Sequence, residues 1–183
     1  MIKRLIFKIV IVAVIVMGIR YMIGHKKSDV NLTDEQAYSQ KMSELSERNN
    51  AIEKEVQDAN AKAVSQPART PGSGKELLVT LTKAYQEKDK YLADLQAIDV
   101  PKKYEEAHST FLAWQKQEHE TEGKLIDGYK AYNEGKKEVA ATIDLLVESS
   151  TKVSKAYESK LADIAKKNGF DSIQKFLSQK ESH

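Results

Sequence analysis

Residues 69–78, RTPGSGKELL, combine glycine, serine and lysine in a way that suggests a phosphate-binding loop. Such a loop needs the pattern G-x-x-x-x-G-K-[ST] between a buried strand and a helix, so that backbone amides and the lysine surround the phosphates. Here Arg69 occupies the first glycine position, and Glu76 stands where the magnesium-binding hydroxyl should be. No strand pattern precedes the segment, which is punctuated by Pro67 and Pro71. We therefore interpret it as a connection between two helices.

Glu105 and His108 have the Glu-x-x-His spacing that di-iron helical bundles use for metal ligands. Those centres need a second such pair and two further inward-facing glutamates, and the chain contains no second Glu-x-x-His. The segment 117–122, QEHETE, places His119 among three glutamates, but a solvated helix face is the simpler interpretation. His108 and His119 would lie about 16 Å apart along one helix, too far to share an ion.

Cysteine is absent from the chain, which excludes thiolate metal sites, iron–sulfur clusters and cysteine nucleophiles. Serines are numerous, but no local motif marks one of them as a nucleophile. We therefore predict no catalytic residue, no cofactor, no metal site and no enzymatic activity.

Basic residues are concentrated at the N-terminus. Residues 1–27 contain six basic side chains and no acidic one, whereas acidic side chains outnumber basic ones over the rest of the chain. A nucleic-acid-binding domain usually shows the reverse, a basic stripe on its folded part. We therefore expect no nucleic-acid partner.

Residues 1–24 are typical of a membrane-spanning segment. The apolar stretch from 5 to 23 has about the length that crosses a bilayer, and Lys8 and Arg20 lie near its ends, where long basic side chains can reach the headgroups. A cleaved signal peptide is the alternative, but no small-x-small cleavage site follows. We predict an uncleaved transmembrane signal-anchor helix at 1–24 and a juxtamembrane linker at 25–32.

The orientation of this anchor is less strongly marked, because basic residues flank it on both sides in nearly equal number. A very short N-terminal tail usually stays in the cytoplasm. We therefore expect a single-pass membrane protein whose N-terminus is inside and whose body is extracytoplasmic.

The body, residues 33–183, has the pattern of long amphipathic helices. Thr33 and Gln36 fit a capping box, and apolar residues then recur at alternating steps of four and three. Pro101 suits the first position of a later helix. Gly123, Gly128 and 133–135 are candidate boundaries after it, and we favour 133–135 because it gives helices of matched length. The predicted helices are 33–65, 74–98, 101–132, 136–167 and 171–180.

These elements predict an all-α fold. A transmembrane helix is followed by an elongated, antiparallel, coiled-coil-like four-helix bundle, and a short C-terminal helix packs on the end of the bundle. No strand pattern occurs in the sequence.

Polar side chains interrupt the heptad patterns near the midpoint of each long helix. Because midpoints meet in an antiparallel bundle, we expect these side chains to form one central polar layer. The layer would consist of Asn49, Lys88, Gln115, Glu118, Glu122 and Ser150. It could fix the register of the helices, with Lys88 paired to Glu118 or Glu122, as polar residues in coiled coils often do. Alternatively, it could form a central site for a small polar or charged ligand.

The anchor and the amphipathic helices favour a protein that binds other proteins: a scaffold or an accessory subunit of a membrane-associated complex. The expected partners are the membrane, through residues 1–24, and a protein; the oligomeric state stays open. The alternative is a ligand-binding sensor or carrier that uses the central polar layer.

Overall fold

A computed structural model describes residues 33–65, 73–136 and 138–173. Within these ranges the protein is entirely helical and contains no strand, so the prediction of an all-helical bundle is confirmed. The helices are α1 (Asp34–Ser65), α2 (Ser73–Gln96), α3 (Glu105–Asn133) and α4 (Val139–Lys167), with a short 3₁₀ helix at Lys102–Tyr104.

Several predicted elements fall beyond the described ranges. The predicted anchor at 1–24 and linker at 25–32 lie outside them, and so does most of the predicted helix 171–180. None of the helices in the described ranges is both long and apolar enough to span a membrane.

The helix ends follow from local hydrogen bonding. At the start of α1 the backbone amide of Thr33 donates to Gln36 Oε1 (3.1 Å), and the Gln36 amide donates to Thr33 Oγ1 (3.3 Å). This reciprocal capping box satisfies two amides that have no partner within the helix. After α3 and after α4 the chain turns at Gly135 (φ +96°) and Gly169 (φ +82°), a left-handed conformation that glycine adopts without steric cost.

Successive helices pack against each other and run in opposite directions. On α1 and α2, Lys62 pairs with Glu76 (2.9 Å) near the end of α1 and the start of α2, whereas Arg48 pairs with Asp94 near the end of α2. The start of α1 therefore shares one end of the bundle with the end of α2, the start of α3 and the end of α4. We call this the proximal end and the opposite one the distal end.

The main apolar core lies in the proximal half of the bundle. Tyr38 stacks on Tyr104 with ring centroids 5.0 Å apart, and Trp114 is fully buried beside them. Burial of each large apolar side chain stabilises the fold by about 1.5–3 kcal/mol, so this cluster holds the four helices together. Its buried members are Tyr38, Met42, Leu45, Tyr91, Leu95, Tyr104, Ala107, Trp114, Leu161, Ile164, Ala165 and Ile173.

Gly123 and Gly128, two of the candidate helix boundaries, lie inside α3 instead. A methyl group at Gly123 would lie 2.9 Å from the hydroxyl oxygen of Tyr85, and one at Gly128 would lie 2.9 Å from Ile143 Cγ1. Both glycines therefore permit close approach of the neighbouring helices to α3.

Candidate functional site

The residues of the predicted polar layer lie around one cavity at the middle of the bundle, which is partly open to solvent. Those that line it are Lys88 of α2, Gln115, Glu118 and Glu122 of α3, and Ser150 of α4. Asn49 of α1 reaches the cavity through a neighbour, because its side-chain amide donates to Glu53 Oε1 (2.9 Å), and Glu53 lines the cavity.

The cavity has a volume of about 130 Å³ and is bounded by side chains from all four helices. Its remaining walls are largely apolar, formed by Val56, Leu81, Ala84, Tyr85, Leu125, Ile126, Tyr129 and Val147. A cavity of about 150 Å³ in another protein holds one benzene molecule, so this space suits a small compound with polar and apolar parts.

Lys88 forms an ion pair with Glu122 across the α2–α3 interface, where its side chain is 14 % exposed. Burial opposes the charge on Lys88, but the carboxylates of Glu122, Glu53 and Glu118 outweigh burial and raise the pKa of the ammonium group. Burial likewise opposes the charge on Glu122, and Lys88 outweighs it, so that the pKa of Glu122 is lowered. Both partners are therefore charged at neutral pH. Of the two glutamates that the sequence offered to Lys88, Glu122 is the partner.

Glu118 connects α3 to α4 instead. Its carboxylate accepts hydrogen bonds from the hydroxyls of Ser150 (3.0 Å to Oε2) and Ser154 (2.6 Å to Oε1). Ser154 lies one helical turn after Ser150, so both hydroxyls face the carboxylate of Glu118. The acidic side chain is therefore held in place at the cavity wall.

Glu53 differs from the other two glutamates. Its side chain is buried, with only 8 % of the residue exposed, and its Oε2 has no hydrogen-bond partner among the described residues. Burial raises the pKa of Glu53, and the opposing effects of Lys88 and of the Asn49 hydrogen bond do not offset it. A buried polar atom left without a hydrogen bond costs about 1–3 kcal/mol. Glu53 Oε2 and Oδ1 of the neighbouring Asn49 are thus two buried atoms of the site without a hydrogen-bond partner among the described residues.

His119 extends the polar network from Glu122 toward the surface. Its Nε2 lies 2.7 Å from Asp89 Oδ1, its Nδ1 lies 3.8 Å from Glu122 Oε2, and its ring stacks on Tyr85 at a centroid distance of 4.0 Å. The carboxylates of Glu122 and Asp89 raise the pKa of His119 against the opposing effect of burial. The expectation of a solvated face at 117–122 is therefore wrong at His119, because Gly123 leaves room for Tyr85 to cover the imidazole.

Glu105 and His108 do not converge on a metal site. Glu105 is exposed, whereas His108 is buried and contacts the Tyr38 hydroxyl (3.2 Å) and the Leu95 carbonyl (3.1 Å). Burial lowers the pKa of His108, so the imidazole is neutral at neutral pH. In the part of the chain that the structure describes, no group of three or more His, Asp or Glu side chains is placed to hold a metal ion.

The sequence pattern did not identify Glu53, Tyr85, Asp89 or Ser154 as members of this network. Two of them had a usable signal: Glu53 follows Asn49 by four residues, and Ser154 follows Ser150 by four, so each lies on the same helix face as a layer residue.

Comparison with protein-family models, with curated proteins and with solved structures finds no match to this chain.

Proposed function

We propose that the protein is a membrane-tethered sensor or carrier that binds a small ligand in the cavity between its four helices. The observation that carries the proposal is the position of Glu53: a buried carboxyl group faces the cavity, and its Oε2 has no hydrogen-bond partner within the described ranges. A layer that only fixes helix register is most stable when its polar groups satisfy one another. Lys88 and Glu122 meet that requirement, but Glu53 does not.

The space between the helices and the buried acceptor without a described partner should both lower the stability of the bundle. A cavity forfeits packing contacts, and the unsatisfied oxygen has its own cost. Proteins commonly retain such destabilising features where they are needed for function. A ligand that fills the space and donates to Glu53 would remove both costs at once.

The membrane tether is supported by the sequence of residues 1–24. In this proposal the linker at 25–32 leads directly into α1, whose described part begins at Asp34, so the proximal end of an elongated antiparallel bundle faces the membrane. The predicted short helix at 171–180 follows α4 at that same end. The body extends from the membrane on the extracytoplasmic side.

A second candidate function is that of a scaffold or accessory subunit, and a separate observation favours it. Among the described residues three large apolar side chains are exposed: Val79 (70 %), Leu145 (66 %) and Tyr132 (43 %). All three lie toward the distal end, on three different helices. A protein partner that covers this end would bury them and thus gain affinity.

The ligand proposal is tested by native mass spectrometry of the full chain, purified in mild detergent from the cells that naturally produce it. We expect a stoichiometric small-molecule adduct. Ala84 lines the cavity and is 6 % exposed, so Ala84→Leu should fill the space and eliminate the adduct. The control is Ala113→Leu, which adds the same atoms at an exposed position of α3 and should leave the adduct unchanged.

Absence of any adduct, together with a gain in stability for Ala84→Leu, would mean that the cavity is only a packing defect. If a stoichiometric protein co-purifies in place of a small molecule, the accessory-subunit function is favoured.

A further inference from the structure

We propose that the ligand of the central cavity is a small organic cation: a primary amine with a short aliphatic body. This inference rests on the proposed function and specifies the chemical class of the ligand for that cavity.

The charges around the cavity favour a cation. Among the described residues that line it, three are glutamates and one is a lysine. Lys88 is already paired with Glu122, which leaves the carboxyl groups of Glu53 and Glu118 facing the space. An anionic ligand would have to approach both, whereas a cation would be attracted by them.

The hydrogen-bonding groups favour a donor with several protons. Glu53 Oε2 needs a donor, and Asn49 already holds Oε1 of the same carboxyl group, which fixes its orientation. An ammonium group carries three donors and no acceptor, and its hydrogen bonds to a carboxylate are charge-assisted and strong. It can therefore bond to Glu53 while remaining close to Glu118.

The rest of the cavity sets the size and the apolar character of the ligand. Leu81, Leu125 and Val147 lie on three different helices and form an apolar wall. This wall offers no partner for a second charged group on the ligand. A volume of about 130 Å³ admits a molecule smaller than or comparable to benzene. A bare divalent metal ion fits poorly, because the described residues contain no group of acidic or histidine side chains placed to ligate it.

Binding of a cation should be coupled to release of a proton. Burial raises the pKa of Glu53, so the free protein holds a proton on this carboxyl group more tightly than an exposed glutamate would. The titratable groups that interact with Glu53 are Lys88 and Tyr91 of α2 and Glu118 and Glu122 of α3. Helix α4 contributes the Ser150 hydroxyl to the cavity wall. Affinity should therefore increase as the pH rises through the pKa of Glu53, while the amine itself stays protonated.

The test uses the full chain in detergent micelles, titrated with n-butylamine, n-butanol and butyrate and followed by NMR or calorimetry. These three probes share an aliphatic body and differ in charge. We expect n-butylamine to bind about tenfold or more tightly than n-butanol, because a hydrogen bond to a charged group is worth more than one between neutral groups. Butyrate should not bind measurably.

Two variants assign the effect to Glu53. Glu53→Gln keeps an oxygen that can accept from Asn49 and should weaken n-butylamine binding about tenfold or more. Glu55→Gln removes the same charge at an exposed position of α1, where Glu55 pairs with Lys83, and should leave binding unchanged. Binding to the unmodified protein should strengthen as the pH rises through the raised pKa of Glu53. The part of that dependence due to Glu53 should vanish in Glu53→Gln, which retains His119.

The outcomes separate this inference from the proposed function. Equal binding of n-butylamine and n-butanol, or preferred binding of butyrate, would overturn the amine assignment while leaving a small-molecule site in place. An adduct found on the native protein, with none of the three probes bound, would also overturn it. Absence of both adduct and probe binding would contradict the inference and the proposed function together.

Discussion

Lys88 of α2 forms an ion pair with Glu122 of α3 at the wall of the central cavity, where both residues interrupt the apolar heptad patterns of their helices. The pair joins the two helices near their midpoints. Each charge moves the pKa of the other in the direction that preserves the pair. The interaction is therefore a structural part of the site, whereas Glu53 Oε2 and Asn49 Oδ1 have no hydrogen-bond partner among the described residues.

The first prediction concerns this pair. Lys88→Met should lower the free energy of unfolding by about 2 kcal/mol, because it leaves the charge of Glu122 without its partner. The loss should be smaller than for a fully buried pair, since Glu122 is 34 % exposed and partly reaches water. The double variant Lys88→Met/Glu122→Leu should recover at least half of the loss in chemical denaturation.

The matched control for that prediction is Lys83→Met. Lys83 pairs with Glu55 on the surface, and its removal should leave stability essentially unchanged. If Lys88→Met has no larger effect than Lys83→Met, the Lys88–Glu122 pair does not stabilise the bundle.

The second prediction concerns Gly128. Alanine is favoured over glycine in a helix by about 1 kcal/mol, but a methyl group here would lie 2.9 Å from Cγ1 of Ile143, which is almost fully buried. Overpacking costs about 1–3 kcal/mol, so Gly128→Ala should lower stability by about 1 kcal/mol. With Ile143→Ala the combined loss should be smaller than the sum of the single losses. Strict additivity would show that the two positions are not in contact.

The third prediction uses the two buried histidines of α3. By NMR, His119 should titrate above the ordinary value of 6.5 and His108 below it. Because the folded protein holds a proton on His119 more tightly than the unfolded chain does, the stabilisation is fully present below about pH 6.5 and is lost as the pH rises through the raised pKa. The difference in unfolding free energy between the parent and His119→Gln should therefore shrink with rising pH.

His108, on the same helix, should contribute to stability with the opposite pH dependence. Its folded state favours the neutral imidazole, so its contribution is present above about pH 6.5 and is lost as the pH falls through the lowered pKa. If both histidines shift stability in the same direction, the network around His119 is described incorrectly.

The sequence predicted the helical composition and the positions of the polar interruptions because both depend on local periodicity. The level at which Lys88, Glu118 and Ser150 meet follows from helix length and from antiparallel packing. The choice of Glu122 as the partner of Lys88 did not follow, because Glu118 and Glu122 lie on the same face of α3 and a shift of α3 along its axis by about one turn exchanges them. The sequence alone cannot fix that axial position.

Tyr85 and Glu53 illustrate a different limit. The sequence pattern did not identify Tyr85 as a member of the network, yet its ring covers His119 because Gly123 has no side chain. This contact joins Tyr85 of α2 to His119 of α3 and requires that position 123 is a glycine. The periodicity of apolar residues along a single helix does not predict such a contact. Glu53 follows Ile52 at the edge of the apolar face of α1, where a glutamate is usually solvated. Its burial depends on how closely α2 and α3 approach α1.

The fourth prediction concerns the segment outside the described residues. Residues 1–24 should remain attached in the mature protein, so the chain should fractionate with membranes and require detergent for extraction. Protease added to intact spheroplasts should degrade the body from residue 33 onward. A mature chain that begins near residue 25 would refute the anchor, and complete protection until lysis would reverse the orientation.

The most direct test of the central claim is a crystal structure of the detergent-purified protein, at a resolution of about 2 Å or better, from the cells that naturally produce it. The proposed function predicts ordered non-protein density in the cavity between Glu53 and Val147, within hydrogen-bonding distance of Glu53 Oε2. Water alone at that position, or side chains that close the space and satisfy Glu53 directly, would contradict it.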